Sequence, residues 1–152
     1  MEKREIKFNA WVPALKIMLY NVTLYADGML GYDEDLFKES LLSSHKIIDS
    51  AVYDKYDEPV LDFLLGEDWV WLEKSEYIPL EFSSFKSDKG EEIFEGDIID
   101  KKFKWTVCFE DGAFYANNEY GKAYLLKDII KKRIKAGCPI YIIGNIYQNK
   151  NF

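Results

Sequence analysis

Histidine is almost missing from this chain: His45 is the only one in 152 residues. That removes the side chain most often recruited as a general base or metal ligand near neutral pH. His45 itself sits in the polar run Ser43-Ser44-His45-Lys46, where an exposed imidazole without a chemical role is expected. Cysteine is scarce too. Cys108 and Cys138 are too few for the disulfide framework of a small secreted domain. Without a second histidine or a paired-cysteine motif they make no zinc site. No apolar run approaches the roughly 20 residues of a membrane-spanning helix. The charged opening Met1-Glu2-Lys3-Arg4-Glu5 does not resemble a signal peptide. The expectation is a cytoplasmic protein with two free thiols and no membrane contact. Gly96, Gly112, Gly121 and Gly144 stand apart from one another, so no glycine-rich loop cradles a phosphate. Positive charge is in the minority, and the net charge of −7 argues against a general nucleic-acid binder, which needs a cationic field. No repeat, low-complexity tract or heptad pattern is present.

What is abundant is aromatic: 16% of residues are Phe, Trp or Tyr within a hydrophobic fraction of 48%. Such side chains suit pleated, half-buried surfaces, and the chain is not alanine-rich, so the composition leans toward β structure. Ile6, Phe8 and Ala10 alternate with Lys7, Asn9 and Trp11 at the period of a strand. Pro13 interrupts it, and a second strand over Lys16 to Tyr25 is expected to return antiparallel and end at Ala26-Asp27-Gly28. From Tyr32 to Pro59 the signals mix. Asp33-Glu34-Asp35 suits a helix start, with Leu36, Phe37, Ser40 and Leu41 at helical spacing, whereas Ile47-Ile48 and Ala51-Val52-Tyr53 suit short strands. Trp69 to Leu72 has apolar residues on both faces and predicts a covered strand.

Ser87-Asp88-Lys89-Gly90 is a polar turn that divides an N-terminal β region with an irregular insertion (1–86) from a C-terminal unit (87–152). In that unit Phe103, Trp105, Val107 and Phe109 alternate with Lys102, Lys104, Thr106, Cys108 and Glu110. Asp111-Gly112 then predicts a two-residue hairpin into Ala113-Phe114-Tyr115-Ala116, because both positions tolerate positive φ. Asn117-Asn118 and Gly121 mark the next loop. Leu125, Leu126, Ile129, Ile130 and Ile134 predict an amphipathic helix that Gly137 terminates. Gly144 inside the last strand, Ile140 to Tyr147, predicts a bulge or bend. This order predicts a mainly β protein: an SH3-like C-terminal barrel from about Ile93 to Tyr147, an N-terminal β region, and one or two short helices.

Four landmarks also resemble those of the YopX family of phage and prophage proteins. They are Arg4-Glu5-Ile6-Lys7-Phe8-Asn9-Ala10-Trp11, the run Gly90 to Ile98 ending in Glu95-Gly96-Asp97-Ile98, Val107 to Phe114 around Glu110-Asp111-Gly112-Ala113, and Ile143-Gly144-Asn145-Ile146-Tyr147. The likeness spans nearly the whole chain. Asn9 departs from it, standing where an arginine is expected, as does Ser83-Ser84, where a threonine-glycine pair is usual. The segment from Tyr32 to Pro59 has no counterpart. The resemblance implies a mainly β, phage-encoded protein inside a bacterial host, and brings no catalytic or ligand-binding residues with it.

Chemistry is correspondingly thin. Glu91, Glu92, Glu95, Asp97, Asp100, Glu110 and Asp111 are concentrated in the C-terminal unit, mostly in turns, where aspartate bonds its own backbone and glutamate stays solvated. Asp97 is expected to fix the start of a strand. No catalytic residue, metal site or cofactor is assigned. The expected function is a non-enzymatic interaction protein that binds a protein partner or itself, since aromatic side chains dominate interface hot spots. The alternative is a small nucleic-acid-binding module using Lys131, Lys132, Arg133 and Lys135, with Trp69, Trp71, Phe114 or Tyr115 as stacking candidates.

Overall fold

Phe8–Val12 forms the first strand, β1, and it stops where Pro13 has no amide hydrogen to give. β2 (Ile17–Leu24) returns antiparallel, with Trp11 opposite Met18 and Val12 opposite Ile17. Gly28, at φ +87°, turns the chain into β3 (Leu30–Asp33), and its carbonyl accepts a hydrogen bond from the Tyr77 hydroxyl at 2.8 Å. The structure, a computed structural model, describes residues 6–100 and 103–148. Lys102 and the stretch Met1 to Glu5, both used in the sequence expectations, lie outside these.

Asp33 ends β3 and caps helix α1 (Glu34–Leu41), its Oδ1 accepting the Leu36 amide at 3.0 Å. Glu34 and Asp35 place negative charge in the first turn, where the exposed amides favour it. Phe37 and Leu41 form the buried face, and Phe37 meets Phe63 edge-on at 5.1 Å between ring centres. β4 (Lys46–Ile48), β5 (Ala51–Tyr53) and β6 (Pro59–Asp62) then make a small antiparallel sheet. The mixed reading of this segment is therefore resolved in sequence: helix first, short strands after.

β7 (Leu64–Gly66) and β8 (Trp69–Leu72) are joined by Glu67 and Asp68, both at positive φ, in a tight hairpin. The ladder runs β1-β2-β3-β8-β7. β8 is covered on one face only. Val70 and Leu72 are fully buried, whereas Trp69 is 38% exposed.

The chain divides into two units: Phe8–Pro79, and a second that starts at Leu80 and also takes in Lys7. The strand β9 (Ile78–Lys86), assigned by the sequence to the N-terminal region, thus belongs from Leu80 onward to the second unit. It pairs with β10 (Glu92–Phe94) across a register shift. β11 (Asp97–Ile99), β12 (Trp105–Glu110), β13 (Ala113–Asn117) and β14 (Ala123–Leu125) follow, then α2 (Leu126–Lys135) and β15 (Ile142–Asn145). The sheet order is β14-β13-β12-β11-β15, so the last strand returns beside the first. Asp111 (φ +49°) and Gly112 (φ +80°) make the expected two-residue turn, with Glu110 opposite Ala113. α2 ends as expected: Cys138 donates to the Arg133 carbonyl and Gly137 (φ +67°) to that of Ile134, which satisfies the last orphan carbonyls. Its buried face is Leu126 and Ile130, whereas Ile134, expected on that face, is exposed. The register shift in the β11–β15 ladder falls between Ile142 and Gly144, beside the glycine where a bulge or bend was expected.

The fold is mainly antiparallel β with two short helices. A closed barrel is not found: among the described residues no ladder joins β14 to β15.

Candidate functional site

Two of the glycine landmarks meet. Asp97, one residue beyond Gly96, accepts the Phe94 amide at 2.8 Å through Oδ2 and the Asn145 side-chain amide at 3.2 Å through Oδ1. Asn145 in turn accepts the Tyr147 amide at 2.9 Å. Gly96 (φ +89°) lets the Tyr147 ring close over it, within 3.1 Å of where a Cβ would stand. Burial pushes the Asp97 carboxyl up to about 6 in spite of both hydrogen bonds. Glu95 is raised as well, first by burial, while backbone amides of Glu81 and Phe109 counter it. This knot holds β11 against β15 and leaves little free chemistry. Among the described residues no three His, Cys, Asp or Glu side chains converge as metal ligands.

A concave feature of the same unit lies at the far end of β12. A cavity of about 680 Å³ opens between that strand, the Asn118–Lys122 loop, β14 and α2. Phe103, Trp105, Tyr120 and Tyr124 provide its aromatic walls, and Lys122, Lys132 and Arg133 stand along it. Trp105 packs edge-on against Tyr124 at 5.4 Å and tilted against Phe103 at 5.7 Å. Arg133 pairs with Asp100 and lies over the Phe103 ring at 5.8 Å, so its charge is neutralised and it positions Phe103. Asn118 shapes the loop by accepting the amides of Tyr120 and Lys122, both at 3.0 Å. Trp105 is 7% exposed, and its buried indole N–H has no acceptor among the described residues.

The basic segment is thereby split. Lys132 and Arg133 face the cavity, while Lys131 and Lys135 are exposed and do not line it. Phe114 stacks on Phe109 at 4.7 Å, away from the cavity lining.

The model of the YopX protein family matches residues 7–152. This chain belongs to the YopX family. Among solved structures it is similar to protein EF1440 from Enterococcus faecalis, with 23% identity, a TM-score of 0.53 and 98% of each chain covered, a likeness of fold alone. A comparison with curated proteins finds no match.

Of the three departures expected from the YopX pattern, the segment 32–59 lies within the span that the family model matches, and the other two fall at positions with distinct local geometry. Asn9 is buried, and its Oδ1 accepts the amide of Asn21, which sits at φ +56°. Ser84 occupies φ +73°, within the register shift of the β9–β10 ladder, where a glycine would be unstrained. Ser83 is buried beside it and accepts the Phe85 amide. His45 is half-buried, its Nδ1 2.7 Å from the Ser44 hydroxyl, beside a groove after α1. Cys108 and Cys138 are free thiols, and burial raises the Cys108 thiol, followed by the charges of Glu110 and Glu95.

A second surface belongs to the N-terminal unit of this YopX protein. Gly31 opposes Trp71, and its missing side chain admits the Trp71 ring, which leans on Tyr25 at 5.3 Å. Trp69 follows at 6.5 Å from Trp71, and Leu64 sits opposite Trp71 in the ladder. Tyr25, Trp71, Trp69 and Leu64 therefore form one row on one sheet face. The row ends at β7, the last strand in the order, where Leu64 is 60% exposed. The simple alternation of the sequence located Trp69 and Trp71 but not the edge, because Glu67-Asp68 is an unusual pair for a tight turn.

Proposed function

We propose that this chain is a non-enzymatic interaction protein that associates with a second copy of itself through the β7 edge of its N-terminal unit. The observation behind this reading is the row of exposed Tyr25, half-buried Trp71, and exposed Trp69 and Leu64, running to an edge strand that has no further strand partner among the described residues. An edge strand presents unpaired amides and carbonyls, and an apolar face beside it supplies contact area. Antiparallel pairing of β7 with its own copy about a two-fold axis satisfies both at once. The single histidine supports binding over acid–base catalysis. We further propose that the C-terminal unit is an opened SH3-like barrel, a reading supported by its four-strand meander, the helix in the last connection, and β15 returning beside β11.

Sedimentation equilibrium over a wide concentration range tests the main proposal. The wild-type chain is expected to associate reversibly, and Leu64→Lys combined with Trp69→Ser is expected to remain a monomer with an unchanged circular-dichroism spectrum. A monomeric wild type that instead binds a different protein through the same residues would replace the second copy with another partner. Equal masses for wild type and variant at every concentration would end the proposal.

A further inference from the structure

The cavity in the C-terminal unit joins aromatic side chains, which the β7 row also has, to a concave shape and cations that the row lacks. It is concave, with a volume in the range of small-ligand sites. Phe103, Trp105, Tyr120 and Tyr124 offer ring faces and edges to whatever enters. Trp105 is largely buried and joins the wall between Phe103 and Tyr124. Two ammonium groups, Lys122 and Lys132, line the same cavity. Arg133 and Asp100 cancel each other, so Lys122 and Lys132 leave the lining side chains positive, with Glu119 in the loop and Asp128 on α2 close in sequence.

We infer that this cavity binds a nucleotide unit, with the base against the aromatic walls and the phosphate at Lys122 and Lys132. A nucleotide joins a planar ring system and an anion by a short covalent path, which matches lysines placed beside aromatic walls. Stacking on aromatic side chains with lysines tracking the phosphates is how single strands are held without a sequence code. An acidic peptide meets the lysines but brings no planar group to so many rings, and a duplex keeps its bases stacked away from them. The proposal is independent of association at the β7 edge, since it uses other residues in the other unit. The overall negative charge opposes long-range attraction, so the affinity is expected in the range of non-specific binding, ~10⁻⁴–10⁻⁶ M, and to fall with salt.

The experiment is fluorescence anisotropy with a labelled single-stranded oligothymidylate about 12 nucleotides long, at low and moderate salt. Tyr120 is 78% exposed, so Tyr120→Ala leaves the fold intact, and it is expected to weaken binding roughly 5- to 150-fold. Lys122→Ala with Lys132→Ala is expected to flatten the log–log salt slope by about 1.4. Lys135→Ala, on the same helix but off the cavity, is expected to change little. Competition with thymidine monophosphate separates the two sources of the ligand. Displacement at concentrations similar to the oligonucleotide assigns a free nucleotide, and displacement only at far higher ones assigns a strand. No binding of either by the folded wild type, an unchanged affinity in Tyr120→Ala, or equal affinity for duplex or polyglutamate overturns the inference.

Discussion

The two units use the same kind of residue in opposite ways. In the N-terminal unit the aromatic side chains Tyr25, Trp71 and Trp69 lie as a row on a sheet face beside aliphatic Leu64, at the end of a ladder. In the C-terminal unit Phe103, Trp105, Tyr120 and Tyr124 curve around a cavity and share it with lysines. The cores differ as well. The N-terminal core is built on fully buried Phe37, Leu30, Leu72 and Val52, whereas the C-terminal unit also ties β11 to β15 through the part-buried hydrogen bond between Asp97 and Asn145. Aromatic content alone therefore does not assign a role. Flat geometry beside an unpaired edge suits another protein surface, and concave geometry with cations suits a planar anion.

The sharpest way to test the difference in cores is to damage the apolar one. Phe37→Ala removes a fully buried ring that packs on Phe63 and is expected to cost about 3–5 kcal/mol, read from denaturant unfolding. A loss below about 1 kcal/mol would mean that α1 does not anchor that core.

The C-terminal unit is expected to respond to pH instead. Native Asp97 keeps its proton up to about 6, whereas an unfolded aspartate releases it near 3.9. Below both values the two states bind equally, and the contribution to stability is complete. As pH rises from about 4 through 6 the native state holds the extra proton and stability falls, by up to about 3 kcal/mol. Asp97→Asn is expected to remove this slope, and also to cost about 1–3 kcal/mol because one of its two donors then faces an amide. Unfolding curves at pH 4 and pH 7 for both proteins check it.

Ser84→Gly is the smallest effect and has the opposite sign. Relief of the positive φ is expected to stabilise the chain by up to about 1 kcal/mol, visible as a raised melting temperature. No change would mean that the left-handed backbone at Ser84 is not strained.

These contrasts also show what the sequence made visible. Local chemistry was legible: the Asp111-Gly112 turn, the Gly137 terminator, the strand break at Pro13, and the register shift beside Gly144 each depend on neighbours a few residues away. The family likeness was legible for the same reason, through short motifs in fixed order. The cavity was not. Asn118, Tyr120 and Lys122 look like an ordinary polar loop, and only the fold brings them to Trp105 and Lys132. The Asp100–Arg133 pair, which takes one cation out of the basic segment, joins positions far apart in sequence. The expected barrel missed for a related reason, because curvature signals at Gly96 and Gly144 specify bends without specifying whether the edges join.

Amide hydrogen exchange at Leu64, Leu65 and Gly66, followed as the protein concentration is raised, tests the proposed role most directly. Association through this edge predicts that these amides become protected with concentration while those of β12 do not change. Exchange at β7 that stays fast and independent of concentration would contradict it.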